Sequence, residues 1–238
     1  MTDFLIACKD ASFAYDGSTA VAGLDFDVCP GDYLCVAGRN GSGKSTLLKG
    51  LLGLIKPSKG QVLMGGGLKL SEIGYLPQQI STQRDFPASV NEVVLTGRLN
   101  RRGAGPFYSR RDREAADGNM DILGILDLRR DCYCELSGGQ QRRVLIARAL
   151  CAAEKVLMLD EPASGLDPSA ARDLYARINV LNKDKGITVV MVSHDLCNAA
   201  RNAGKVLHLE NRQVFFGTVG DYMESGAGKE FTGGGQDG

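Results

Sequence analysis

Residues Gly38-Arg39-Asn40-Gly41-Ser42-Gly43-Lys44-Ser45 fill every fixed position of the pattern G-x-x-x-x-G-K-[ST], and that pattern dictates its own surroundings. A buried strand must deliver the loop and a helix must leave it. Both are present: Tyr33-Leu34-Cys35-Val36-Ala37 precede it, and Thr46-Leu47-Leu48-Lys49-Gly50-Leu51-Leu52 follow. The glycines let backbone N–H groups turn inward on phosphate oxygens, where side chains would block them. Lys44 then sets a compact positive charge on the terminal phosphates, and the Ser45 hydroxyl is a ligand for Mg²⁺. The plain alternative, a glycine turn beside a surface lysine, does not account for the strand-to-helix context. Further on, Leu136-Ser137-Gly138-Gly139-Gln140 is a second glycine-rich turn ahead of a helix, and so a second candidate anion cradle.

The rest of the chain repeats the strand-then-helix order. Val156–Leu159 precedes a helical pattern at 169–182, Ile187–Val192 precedes one at 195–202, and Lys205–Leu209 follows. Runs apolar at nearly every position are central strands covered on both faces, so the expected fold class is α/β with a mainly parallel sheet. Residues 1–30 differ: Phe4–Cys8, Ala11–Tyr15 and Leu24–Val28 are short, partly alternating and separated by turns, as in an antiparallel β subdomain. Between about 85 and 150 the strand signal gives way to a helical insertion, in which Arg110–Leu126 is amphipathic with Ala116, Met120, Leu123 and Ile125 facing inward. The arginines of that region, Arg98, Arg101, Arg102, Arg110, Arg111 and Arg113, are read as a solvated face rather than a partner surface. The expected organisation is one domain over 1–225, followed by a flexible glycine-rich tail at 226–238.

Composition closes off other classes. The chain of 238 residues can bury a large core alone. Twenty-eight basic and 28 acidic residues cancel, which gives no electrostatic reason for nucleic-acid binding. No secretion signal and no membrane-length apolar run are visible, so a cytoplasmic, soluble chain is expected. Seven cysteines without a C-x-x-C pair suit reduced thiols, and Cys132 with Cys134 makes too small a ligand set for a metal.

Two carboxylates, Asp160 and Glu161, end the apolar run Val156–Leu159, at the sheet edge where α/β folds bind ligands. Asp160 is placed to hold Mg²⁺, directly or through water, and Glu161 to polarise a water for attack on a phosphate. His194 ends the next apolar strand, Ile187–Val192, at the same edge, where an imidazole can donate to that phosphate or orient the water.

Gly38–Thr46, Leu136–Gln140, Val156–Glu161, Ser164-Gly165-Leu166-Asp167 and His194, in this order, resemble the ATP-binding subunit of ABC transporters over about residues 4–220. The resemblance implies a P-loop NTPase-type fold with ATP and Mg²⁺ as cofactors. It implies that Tyr15 stacks on adenine and that Gln78 joins the metal site to a membrane partner. It implies that Ser137, Gly138, Gly139 and Gln140 hold the γ-phosphate of the ATP bound to a second copy, with Asp167 crossing that interface. A homodimer in the ATP state follows. Two membrane permease subunits, at the cytoplasmic face of the membrane, and an external solute-binding protein follow as further partners. The stretch Asp85–Arg98 and Glu161–Asp167 resemble the zinc, manganese and iron-chelate importers. Another small solute, a soluble non-transport ATPase, and a regulatory module without turnover are the rival readings.

Overall fold

The computed structural model describes residues 4–15, 18–78, 87–101, 107–193 and 202–233. Two sheets organise it. The smaller is antiparallel, in the order β2(Ser18–Val28), β1(Ile6–Tyr15), β4(Lys59–Met64). The larger runs β5(Ile73–Leu76), β6(Val156–Asp160), β7(Thr188–Val192), β3(Tyr33–Ala37), β8(Lys205–Leu209), β9(Gln213–Thr218). Its neighbours are parallel except β8 and β9, which form a hairpin.

The period-two alternation of a strand divides the core between the two faces of this sheet. Tyr33, Cys35, Leu157, Leu159, Val189 and Met191 pack with the helical side. Leu34, Val36, Val156, Met158, Val190 and Val192 point the other way, onto α1(Lys44–Leu51) and the antiparallel sheet. Because both faces are covered, β3, β6 and β7 are buried at every position, which explains why their residues are apolar apart from Thr188 and Asp160.

The insertion contains α2(Val90–Leu95), α3(Arg110–Ile122) and α4(Gly138–Ala152), with α5(Pro168–Lys185) on the same side of the sheet. Serine caps start the three inserted helices. Ser89, Ser109 and Ser137 each accept from the backbone N–H three residues on, while Glu92, Asp112 and Gln140 reach back. Ala116 and Met120 are buried within α3, but the helix expected to reach Leu126 ends at Ile122: Leu123 is its C-cap and Ile125 is buried in the turn after Gly124.

Two expectations are corrected. Arg98 is not part of a solvated face: its Nε meets Asp112 Oδ1 at 2.8 Å, and Nη1 donates to Cys151 O. Arg110, Arg111 and Arg113 are exposed, whereas the side chains of Arg101 and Arg102 lie outside the described residues. The chain from Gly226 is not a structureless tail. After α6(Val219–Glu224), Gly226–Gly233 forms helix α7, where Ser225 Oγ accepts from Gly228 N and Ala227 packs on the core. Residues 234–238 lie outside the described residues.

The pair of Arg98 and buried Asp112 has a measurable signature. Asp112 accepts from the Ser109 hydroxyl and from Arg98, and these bonds hold its carboxyl down from 3.8 to about 2. A folded-state pKa below the unfolded one stabilises above pH 3.8, and this contribution is lost as pH falls through about 2. Asp112→Asn is therefore expected to cost about 2 kcal/mol in urea melts at neutral pH. The gap from wild type should close as the melts are repeated from pH 3.8 down to about 2. A gap independent of pH would contradict the assignment.

Candidate functional site

The site lies where β3 and β6 deliver their carboxyl-terminal ends. Gly38, Gly41 and Gly43 have φ of 146°, 80° and 95°, which side chains rarely adopt. A Cβ on Gly38 would also lie 2.3 Å from Leu209 O and 2.6 Å from Ser42 Oγ. The loop is packed against β8 as well as curled. Asn211, in the β8–β9 turn, tightens it: Nδ2 donates to Gly41 O at 3.0 Å and to Ala20 O at 3.1 Å, and its N–H donates to Ser42 O.

α1 begins at Lys44, so Lys44, Ser45 and Thr46 occupy its first turn, where backbone N–H groups have no partner inside the helix. Such an end attracts anions. Lys44 is buried, and its Nζ donates to Gly38 O and Arg39 O at 2.8 Å each, which poises the ammonium over the loop. Burial lowers its pKa, while the carboxylates of Glu161 and Asp160 oppose that shift. Arg39, Asn40 and Gly41 are exposed at the rim.

Asp160, the last residue of β6, is buried, and burial pushes its carboxyl up, opposed first by the Ser45 hydroxyl. Its Oδ1 and the Ser42 Oγ are both buried with no hydrogen-bond partner among the described residues. A buried carboxylate oxygen beside a serine hydroxyl fits a hard, oxygen-seeking cation, and a buried hydroxyl in a glycine loop fits a phosphate oxygen. The donor set therefore suits Mg²⁺ and a nucleotide phosphate.

Glu161 follows with φ 51°, a left-handed backbone that costs a non-glycine residue roughly 1–3 kcal/mol. Its N–H donates to Val192 O, and its carbonyl accepts from Ser164 N. Gln78 Nε2 donates to Glu161 Oε2 at 2.8 Å, so residues 83 positions apart meet in one bond. Phosphate loop, acidic pair and Gln78 thus share one sheet edge. His194 lies outside the described residues.

The second glycine turn is built differently. Ser137 caps α4 with Oγ 3.4 Å from Gln140 N, and Gln140 Oε1 accepts from Ser137 N at 2.9 Å. Gly138 faces open space, and Gly139 lies near Leu166. Among the described residues no hydrogen bond joins Ser137–Gln140 to the phosphate loop. Asp167 is exposed and caps α5, its Oδ1 accepting from Ser169 N and Ala170 N at 2.9 and 3.0 Å. These bonds hold its carboxyl below the usual range. Tyr15, at the end of β1, is 60% exposed and leaves its ring available to a stacking ligand. Cys132 Sγ and Cys134 Sγ approach to 2.9 Å, but no cluster of three metal-ligating side chains occurs among the described residues.

Sequence reasoning missed two residues here. Asn211 carried no signal beyond its turn, and Arg142 was only a position on a helix. The guanidinium of Arg142 reaches the carbonyls of Asp160, Glu161 and Pro162.

Comparison with known proteins agrees with this geometry. The ABC transporter family model matches residues 21–164. A zinc uptake system ATP-binding protein of Listeria innocua is 33% identical over 232 residues, covering 95% of this chain and 90% of that protein. A manganese transport system ATP-binding protein of Bacillus subtilis is 36% identical over 217 residues, covering 90% and 86%. Among solved structures, an inward-facing ABC transporter assigned to the metal-chelate type superposes with a TM-score of 0.85 at 30% identity, covering 97% of this chain and 89% of that one. An α/β sheet that ends in a phosphate loop and an acidic pair therefore has a family as well as a chemistry: the chain belongs to the ABC transporter family, as an ATP-binding, ATP-hydrolysing subunit.

Proposed function

We propose that the chain powers a multi-subunit importer for a metal ion, with two copies closing over two ATP molecules and separate membrane subunits carrying the cargo. The buried Asp160–Glu161 pair beside Lys44 carries the hydrolytic half of this reading, because acid, base and phosphate cradle occupy one edge. Gly38–Thr46 would bind the phosphates, Tyr15 would stack on the base, and Ser45 with Asp160 would hold Mg²⁺, Gln78 standing by. When bound, the ion neutralises developing phosphate charge. Glu161 would accept a proton from the attacking water, with Gln78 fixing the carboxylate and His194 at the phosphate.

The open, capped start of α4 supports a trans role for Ser137, Gly138, Gly139 and Gln140. An exposed helix N-terminus on the inserted segment suits an anion presented by another copy, as Asp167 on its exposed cap suits the same interface. No helix among the described residues is long and apolar enough to cross a membrane, so on this reading the permeation path belongs to other chains. At that path's cytoplasmic face the subunit would sit, and an external binding protein would deliver the cargo. The relatives' names favour zinc or manganese over an iron chelate.

Uptake of radioactive zinc and manganese in a strain lacking the gene tests the cargo. Loss of one of them, restored by the wild-type gene and not by Lys44→Ala, is the expected result. Uptake of both unchanged, with ATPase activity intact in the purified chain, would overturn the metal assignment and point to another solute or a non-transport ATPase.

A further inference from the structure

Arg142 stands in the first turns of α4, just past the Ser137 cap, and its guanidinium spans four backbone carbonyls. Nε donates to Pro162 O at 3.0 Å, Nη2 to Asp160 O at 3.0 Å and Glu161 O at 2.6 Å, and Nη1 to Gln78 O at 3.4 Å. Three of these acceptors are consecutive residues at the end of β6. A guanidinium is suited to such a span: it has five N–H donors in a rigid plane, accepts nothing, and stays charged.

The middle residue of the three is Glu161, with its left-handed φ of 51°. Backbone in that region persists only where its surroundings over-determine it. Here the N–H is tied to Val192 O at 3.1 Å, and the carbonyl to Arg142 at 2.6 Å and Ser164 N at 3.1 Å. The same guanidinium holds the backbone of Gln78, whose side chain donates to the Glu161 carboxylate. Both ends of that carboxylate's hydrogen bond therefore hang on one side chain, and that side chain belongs to the helix whose N-terminus is Ser137–Gln140.

We propose that Arg142 is a positioning residue for hydrolysis: it fixes the strained backbone of Glu161 and the placement of Gln78, and so couples the orientation of α4 to the aim of the Glu161 carboxylate. A rotation of α4 would move the guanidinium and re-aim the base, so hydrolysis would register where the helix beginning at Ser137 lies. The proposal rests on the reading of Glu161 as the catalytic carboxylate.

A misplacement of the order of 1 Å costs about a hundredfold in rate, so Arg142→Ala is expected to lower kcat for ATP hydrolysis about tenfold to a hundredfold. KM should change less than about twofold, because Arg142 makes no bond to Gly38–Ser45. Arg142→Lys, whose single ammonium cannot span four carbonyls, should recover only part of the rate, and it carries the same comparison if the alanine variant does not fold. In a Glu161→Ala background, Arg142→Ala should take nothing further off the residual rate, as expected of residues acting as one unit. A kcat within about twofold of wild type for both Arg142 variants, a KM that rises in step with the loss, or the same fold loss in the Glu161→Ala background would each overturn the proposal. Should Glu161→Ala itself keep the wild-type rate, the reading of Glu161 falls and this proposal with it; loss in Glu161→Ala with Arg142→Ala unaffected removes the Arg142 role alone.

Discussion

Lys44→Ala is expected to weaken ATP binding at least a hundredfold and to remove ATPase activity, with the fold retained. The ammonium is buried and held by two loop carbonyls at 2.8 Å, so it waits at a fixed point instead of being recruited from solvent. Pre-placement matters because little side-chain entropy remains to be lost when a phosphate arrives. A hydrogen bond between charged groups contributes about 1.5–3 kcal/mol, and losing two of them corresponds to about 3–6 kcal/mol. The lower end of that range is already about a hundredfold in affinity. The fold should survive because the desolvation that lowers the Lys44 pKa opposes burying the charge, so its removal relieves a cost while it frees two carbonyls. Titration with a fluorescent ATP analogue, alongside thermal melts without nucleotide, separates the two effects. Tight binding by Lys44→Ala would mean that the phosphates sit elsewhere.

The parts of this molecule visible in the sequence are those with a local signature. β3, β6 and β7 read correctly because a strand covered on both faces is apolar along nearly all its length, and α3 was legible from the helical spacing of Ala116 and Met120, though it ends at Ile122 and not at Leu126. The charged pair Lys9-Asp10 looked like a break between two strands. Instead β1 runs through it with shifted register, Asp10 taking φ 46°, since a bulge turns the backbone without ending the strand. Residues 226–233 failed for the opposite reason. Glycine-rich composition predicts coil, yet packing of Ala227 and the Ser225 cap outweigh weak propensity.

The site divides in the same way. The phosphate loop and acidic pair are contiguous in sequence and were legible. Arg142 and Asn211 act on residues 64 and 170 positions away, through backbone carbonyls that have no residue identity to recognise. Arg142 and Arg143 look alike in sequence, but one step around the helix sends Arg143 to Asp173 at 3.0 Å and Arg142 to the end of β6.

Glu161→Gln should stop turnover while leaving ATP bound, and this result separates the two cradles most clearly. The substitution keeps the length of the side chain, and its amide oxygen can still accept from Gln78 Nε2, which now meets Glu161 Oε2 at 2.8 Å. On the role proposed for Glu161, what it removes is the base, a contribution of about 10²–10⁴ in rate. It also removes a negative charge next to Asp160, whose own proton affinity that charge raises. Less negative charge at the sheet edge favours the nucleotide's phosphates, so ATP should bind at least as tightly as in wild type. With ATP neither cleaved nor released, two copies should remain closed, the loop Gly38–Ser45 of each and the capped start of α4 of the other enclosing the same γ-phosphate. On a sizing column the variant should elute as a dimer with ATP and as a monomer with ADP. Adding Ser137→Arg, which sets bulk and a long side chain at the cap without touching the phosphate loop, should abolish the dimer while ATP still binds. A monomer in Glu161→Gln with ATP bound would show that one copy encloses its nucleotide alone, and the capped start of α4 at Ser137 would then need another partner.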